Sequence, residues 1–446
     1  MKDPFNTLRP CHTRGIHLPH RKNTAATESV SLPIPEKVYI PMQMHIGAPC
    51  TPTVSVGDRV RVGDKIGDSE APVSAPVHAS VSGTVTGIYP MTVGGGTTAT
   101  VVEIASDGKM ESADLVLPTV TDRASFLNAV RESGLVGLGG AGFPTHIKLA
   151  VPKGKTVDTL IVNVAECEPY LTSDHRTVLE DGWDVMSGVY AILHYLDIPR
   201  VLICVEENKP DAIETLRKIA DSSADEGDRV RVLPLKATYP QGAEKVLIRA
   251  ATGREVPSGG LPADAHCIVM NVTGVAKLAA YLKTGMPLVS KRVTVDGDAV
   301  ENPQNIIVPI GTPVSEILAF TGLREAPKKI LMGGPMMGIT LAAPDVPVVK
   351  NNNGILALTE KGCAPFAPTP CIRCARCVMH CPMGLSPVTL AKAAERGDAD
   401  ALEKSGLLSC MECGSCAYVC PAKRPLVQNM RTGKALLRER NSRKKG

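Results

Sequence analysis

The sequence predicts a multidomain α/β protein, and three observations carry that reading. The chain has 446 residues, too many for one core at about 100–200 residues per domain. Strand and helix signals alternate over residues 121–290, the pattern of a largely parallel sheet flanked by helices. The 14 cysteines are unevenly spread, with eight of them between Cys371 and Cys420. Otherwise the composition is ordinary, with 43% hydrophobic and 21% charged residues and a net charge of +4. That excludes wholesale disorder and a strongly basic nucleic-acid binder. A dense cysteine knot at one end of a long chain is also unlike a small secreted disulfide scaffold.

Residues 1–30 read as an irregular basic segment with Arg14, His17, His20, Arg21 and Lys22 on a solvated surface. The first 20 residues lack a signal-peptide core, and no run approaches about 18 consecutive apolar residues, so no membrane span is expected. Residues 31–120 read as short strands broken at Val56-Gly57-Asp58, Val62-Gly63-Asp64 and Ser82-Gly83. This pattern is similar to the barrel-sandwich-hybrid β domains of biotinyl and lipoyl carriers. Those carriers present a modified lysine on a hairpin tip. The corresponding stretch here, Glu70-Ala71-Pro72-Val73-Ser74, has none, so a docking module is expected.

From 121 the texture changes. Asp122 is placed to cap a helix that Gly134 stops. Strands are expected at 159–162, 201–205, 230–233 and 268–272, and helices at 184–196, from Pro210, and at 243–251. Residues 291–345 return to short strands with Gly and Pro turns, a small β-rich domain. Residues 350–362 read as a linker, opening on Asn351-Asn352-Asn353-Gly354, and the C-terminal domain is placed at 350–430. Its middle reads as two helices, the first capped by Ser386 with Pro387 at its start and Gly397 past its end, the second begun by Asp398. The tail 431–446 has seven basic residues and one acidic. It suits either contact with anionic lipid or an acidic partner, or a solvated frayed end.

The cysteines are the most specific signal. Cys371, Cys374, Cys377 and Cys381 follow C-x₂-C-x₂-C-x₃-C with Pro382 next, and Cys410, Cys413, Cys416 and Cys420 repeat it with Pro421 next. This is the bacterial run that holds two [4Fe-4S] clusters, in which the fourth cysteine of each run ligates the other cluster. Cluster 1 is therefore assigned Cys371, Cys374, Cys377 and Cys420, and cluster 2 Cys410, Cys413, Cys416 and Cys381. The fourth cysteine is expected to enter a helix. A zinc ribbon needs only two C-x₂-C pairs and leaves the other cysteines and both prolines unexplained. The remaining six (Cys11, Cys50, Cys167, Cys204, Cys267 and Cys363) have no ligand spacing and read as small buried hydrophobes. Cys363, eight residues before the run, is the one to watch.

Four further elements suggest a nucleotide site. Gly137-Leu138-Gly139-Gly140-Ala141-Gly142-Phe143-Pro144-Thr145 matches G-x-G-x-x-G by letter, although a helix and not a strand precedes it. A glycine run lets backbone N–H groups approach a flat ring or a phosphate, and Lys148 is placed to reach a phosphate. A tight packing turn is the plain alternative. Asn163-Val164-Ala165-Glu166-Cys167-Glu168-Pro169 and Asn271-Val272-Thr273 each follow an expected strand, where open α/β sheets bind ligands. Tyr239-Pro240-Gln241-Gly242-Ala243-Glu244 is the fourth element.

In this order the elements resemble the FMN- and NADH-binding subunit of respiratory complex I. The resemblance implies FMN on Gly137, Gly139, Gly140, Ala141, Gly142, Phe143, Thr145, Lys148 and Asn271. It also implies that Asn163, Glu166, Glu168, Tyr239, Gly242 and Glu244 shape the flavin and NADH pocket, with NAD(H) stacked against the flavin near Glu166, Glu168 and Glu244. The sequence departs from that protein at Ala165 and Ala243, where it has carboxylates. The whole chain resembles the RnfC family of the Rnf ion-translocating electron-transport complexes still more, since Gly15-Ile16-His17-Leu18-Pro19-His20-Arg21-Lys22 is similar to that family's G-I-H-P-P-H-R-K. This implies a β-grasp, SLBB-like domain at 291–345. It also implies a peripheral subunit on the cytoplasmic face of a bacterial membrane complex, with partner subunits that include an iron–sulfur protein and, indirectly, ferredoxin. Such a subunit exchanges electrons between reduced ferredoxin and NAD while other subunits move ions. Nicotinamide exchanges two electrons at once and each cube one, and a flavin between them can do both. No side chain need act as acid or base. A flavin/iron–sulfur cobalamin reductase and a non-enzymatic iron–sulfur docking subunit are the two competing readings.

Overall fold

The computed structural model describes residues 4–222, 227–363 and 366–443. The expected tail at 431–446 therefore lies partly outside the described residues, as do the first three residues. The N-terminal β domain faces two small sheets together. One runs Lys37–Pro41, Thr98–Ser106, Gly83–Thr92, Arg59–Val60, and the other Thr51–Pro52, Lys65–Asp68, Val77–His78. Val38, Ile40, Ile66, Val77, Val102 and Ile104 alternate inward to fill the space between them. In the stretch that corresponds to the lysine-bearing tip, Glu70 and Pro72 are exposed and its last residue turns inward. Ser74 is fully buried, and its hydroxyl donates to the Ser69 and Ala71 carbonyls, 3.0 Å each.

The central domain has an all-parallel sheet in the order Val230–Leu235, Arg200–Glu206, Thr159–Val164, Cys267–Asn271. Helices cover both faces, so the strands read as continuous apolar runs. Asp122 caps the first helix by accepting from the Ser125 N–H at 2.8 Å. The expected helix at 184–196 begins much earlier, as Ser173–Leu196. Its first turn is closed from outside by the buried Glu166 carboxylate, which accepts from Asp174 N at 3.0 Å and His175 N at 3.3 Å. A cap that far upstream leaves no local mark at the helix start.

The third domain is a six-stranded mixed sheet, Val30–Ser31, Gln304–Pro309, Ser290–Asp296, Gly354–Leu358, Lys329–Met332, Ile339–Thr340, with Val314–Thr321 packed on it. Two expectations change here. The linker at 350–362 contains an interior strand of this sheet, Gly354–Leu358, every residue of which is buried. The N-terminal basic segment supplies an edge strand, Val30–Ser31, and is not a merely solvated run.

The C-terminal domain is helical around Leu390, Leu402, Leu407, Leu426, Met430 and Leu437. Pro387, Gly397 and the Asp398 cap (Ala401 N to Oδ1, 2.9 Å) fall as expected. Ser386 does not cap its helix and instead bonds the Thr389 hydroxyl at 2.8 Å. In each cysteine run the third cysteine lies on a one-turn helix, Arg376–Met379 or Ser415–Tyr418, and the fourth follows it. The basic tail is not frayed over its described part. Leu426–Arg443 is one helix whose Lys434 and Arg431 pair with Glu412 (2.7 and 2.9 Å), while Arg440 pairs with Asp400 and Glu403 (2.8 and 2.6 Å). Among the described residues no helix is long and apolar enough to cross a membrane.

Candidate functional site

The glycine loop closes on itself, with Gly137 N donating to Phe143 O at 2.8 Å. Gly139 and Gly142 have φ of +78° and +71°, values that favour glycine. Gly139, Gly140 and Ala141 are exposed at its crest. A Cβ added to Gly140 would meet nothing within 4 Å, so the loop borders open space where a ring or phosphate can lie against backbone.

Asn163 and Asn271 sit side by side at the carboxyl ends of adjacent strands, in register. Asn271 Oδ1 accepts from Thr273 N at 3.0 Å, and its Nδ2 donates to Asp174 Oδ2 at 2.7 Å. Burial beside Glu166 pushes the Asp174 carboxyl up to about 6. Sequence reasoning misses Asp174, which orients a predicted ligand residue from inside a helix. Asn163 Nδ2 donates to Gly242 O at 2.8 Å, tying the first acidic loop to the Tyr239–Glu244 segment. Gly242 is required there, since a Cβ would lie 2.1 Å from Ala165 O. Lys148 Nζ meets Glu244 Oε1 at 2.7 Å, both partly exposed, so a cation and a carboxylate face the same rim. Phe143 is half-buried and Thr145 fully buried at the base of the loop.

Three of the residues expected near the nucleotide make contacts within the protein. Glu166 is buried and caps the Ser173–Leu196 helix. Glu168 accepts from Met336 N at 3.0 Å and Met337 N at 2.9 Å, and burial pushes its carboxyl up to about 7. Tyr239 is buried and donates its hydroxyl to Cys413 O at 2.6 Å. The N-terminal motif secures the same loop. Lys22, half-buried, donates to the carbonyls of Glu166 (2.8 Å), Glu168 (2.9 Å) and Leu171, and Arg21 donates to the Tyr170 hydroxyl.

The cysteines sort as their spacing requires. Cys381, Cys410, Cys413 and Cys416 line one cavity together with Pro382, Met411 and Leu390. Cys416 feels the charges of Cys413, Cys410 and Cys381, and burial pushes its thiol up to about 12. Coordination to a cationic metal centre would make it a thiolate. Among the described residues no three His, Cys, Asp or Glu side chains converge on a single-ion site. The four thiols frame a space, as a cube requires. In the second set Cys377 feels Cys420 and Cys374, and Cys371 and Cys374 are exposed. Both donor sets thus fit [4Fe-4S] clusters. Cys363 is half-buried against the Tyr170, Leu331 and Leu358 cluster.

Comparison with known proteins agrees in domain order. Family models match for an RnfC barrel-sandwich-hybrid domain (residues 11–109), a Nuo51 FMN-binding domain (130–280), an SLBB domain (292–340) and a 4Fe-4S dicluster domain (366–421). The chain is 43% identical to the C-subunit of the proton-translocating ferredoxin:NAD(+) oxidoreductase complex of Clostridium ljungdahlii, over 97% of this chain and 95% of that one. It belongs to the RnfC family. It is also 44% identical to the C-subunit of the Na(+)-translocating ferredoxin:NAD(+) oxidoreductase complex of Acetobacterium woodii, over 94% and 95% of the two chains. An NAD+-reducing [NiFe]-hydrogenase structure in the air-oxidized state aligns at 18% identity with a TM-score of 0.50, covering 71% of this chain and 63% of that one. That likeness concerns the fold alone. In this RnfC-family chain, Gly15–Lys22 is the strap that fixes the loop behind the site.

Proposed function

We propose that the chain is the NAD(H)-side electron-transfer subunit of a membrane-bound ferredoxin:NAD oxidoreductase. It passes electrons between NAD(H), FMN and two [4Fe-4S] clusters, while other subunits translocate ions. Bound FMN supplies the conversion between two-electron hydride chemistry and single electrons. The glycine loop from Gly137 offers it backbone N–H groups, with Asn163 and Asn271 at the strand ends beside it. Lys148 takes the phosphate by exchanging Glu244 for it, which frees Glu244 for the nicotinamide nucleotide. Glu166, Glu168 and Tyr239 act from behind, holding the loops in place. No side chain transfers a proton.

One observation carries this reading: Tyr239, three residues before Gly242 of the nucleotide site, donates to the carbonyl of the cluster-2 ligand Cys413. Ile16, Tyr239 and Cys413 form one apolar contact with Cys167, Met336 and Met411. Cluster 2 therefore adjoins the nucleotide domain, and electrons pass from flavin to cluster 2 and then to cluster 1. Around cluster 1, Phe366, Ile372 and Met379 are 70%, 67% and 56% exposed, with Arg373 and Arg376 among them. We assign this face to the iron–sulfur partner protein, at the cytoplasmic side of the membrane.

Anaerobic addition of NADH tests the function. Flavin absorbance should fall first and cluster absorbance next. A protein without bound flavin and without an NADH response would leave only an iron–sulfur docking role. Lys148→Ala should lower flavin content, and a normal content would remove the phosphate assignment.

A further inference from the structure

The segment just before the buried strand Gly354–Leu358 does more than lead into it. Lys350 is fully buried, and its ammonium donates to Gly134 O at 2.7 Å and Pro76 O at 2.6 Å. Gly134 is three residues before the glycine loop. Asn351 Nδ2 donates to Gly140 O at 2.8 Å, at the crest of the loop. Asn352 is buried and turns back to accept from Gly354 N at 3.1 Å. Asn353 comes next. A Cβ on Gly139 would stand 3.1 Å from Asn353 Nδ2 and 3.7 Å from Asn271 Nδ2. The carboxamides of Asn353 and Asn271 thus flank the same glycine, from the third domain and from the central sheet. The Asn271 carboxamide is spent on Asp174 and Thr273. The half-buried Asn353 carboxamide makes no hydrogen bond to any described residue.

We infer that Lys350–Asn353 is a wall of the flavin site, and that the Asn353 amide donates directly to an oxygen of bound FMN. The inference rests on the flavin reading above. Asn351 holds the crest of the loop through the Gly140 carbonyl, Lys350 anchors the residue three before the loop through the Gly134 carbonyl, and Asn353 adds a side-chain donor from the third domain. An uncharged NH₂ pointing at a glycine crest suits an acceptor oxygen of a phosphate, ribityl or ring carbonyl group.

The experiment uses the full chain with its clusters reconstituted, freed of flavin and titrated with FMN by fluorescence quenching. Asn353→Leu should weaken FMN binding about tenfold, the loss expected when one good hydrogen bond goes. Cluster absorbance and unfolding temperature should stay at wild-type levels. Asn353→Asp, nearly isosteric, should weaken binding as much, and more where the oxygen belongs to the phosphate. Should Asn353→Leu lose its clusters, Asn353→Asp decides alone. Affinities within about twofold of wild type in the folded variants would overturn the role of Asn353 while leaving FMN on the loop. A wild-type chain that takes up no FMN would instead overturn the flavin reading, and this inference with it.

Discussion

The two cysteine runs are the same motif, and the fold treats them differently. Around Cys410, Cys413, Cys416 and Cys381 the protein closes in. Cys381 and Cys413 are buried, Met336 packs over Gly414, and the Tyr239 hydroxyl reaches the Cys413 carbonyl. Around Cys371, Cys374, Cys377 and Cys420 two cysteines are exposed, and the neighbours are exposed apolar and basic side chains. Ligand spacing fixes which atoms hold a cluster. What the cluster is for depends on what packs against it, and burial with hydrogen bonds also tunes its potential. The inner set faces the nucleotide domain, while the outer set lies at an exposed face.

The strongest way to break this comparison is to remove one cluster at a time. Cys416→Ser should leave NADH able to reduce the flavin but slow reduction of the outer cluster by at least about 100-fold, the scale on which damage to a ligand shell costs activity. Cys374→Ser should leave NADH-driven reduction of the inner cluster at wild-type rate. Freeze-quench EPR distinguishes them, and equal loss of inner-cluster reduction in both variants would reverse the order proposed here.

The next effect concerns the support behind the inner cluster. Burial raises the Glu168 carboxyl from its ordinary value to about 7. The folded state therefore holds that proton more tightly than the unfolded chain. Its contribution is complete below about pH 4.5, is lost as pH rises toward 7, and is constant above that. The loss is about 3 kcal/mol at most. Glu168→Gln should remove this slope, so unfolding temperatures of the two proteins should diverge between about pH 5 and 7. Parallel curves would mean that Glu168 is ionised and stabilised where it sits.

A smaller effect is expected at the outer face. Ile372→Asp places a charge on the exposed patch beside Cys371 and Cys374 without touching the core. Electron exchange with the intact membrane complex should slow about tenfold, while NADH reduction of the isolated chain stays unchanged. A normal rate in the complex would move the docking face elsewhere.

The difference between the two regions also explains what is legible in the letters alone. Cluster ligands and the glycine loop are local patterns, so their letters suffice. The strands at Thr159–Val164, Arg200–Glu206, Val230–Leu235 and Cys267–Asn271 announce themselves as apolar runs. The bonds that Glu166 and Glu168 make inside the protein are not legible, because a carboxylate that caps a helix has the same letter as one that meets a nucleotide. Lys350–Asn353 reads as a polar linker because its partners, Gly134 and Gly140, are more than 200 residues away in sequence. Tyr239 belongs to the nucleotide loop by motif and to the cluster by contact, and only the fold brings the two together.

Tyr239→Phe probes that contact with the smallest change. The ring stays in the apolar cluster with Ile16 and Met336, and the hydroxyl's bond to Cys413 O is lost together with its hydrogen-bonding contact to Glu168. An O–H directed at a ligand carbonyl carries its positive end toward the cluster and favours the reduced, more negative form. Removing it should lower the inner-cluster potential. A bond worth about 1 kcal/mol corresponds to roughly 40 mV for one electron, and only part of that distinguishes the two redox states. A downward shift of about 10–40 mV is expected in an EPR-monitored titration, with the outer-cluster potential unmoved. If both potentials shift together, Tyr239 acts through the packing of the whole helical domain; if neither shifts, its role is to dock that domain and not to tune the cluster.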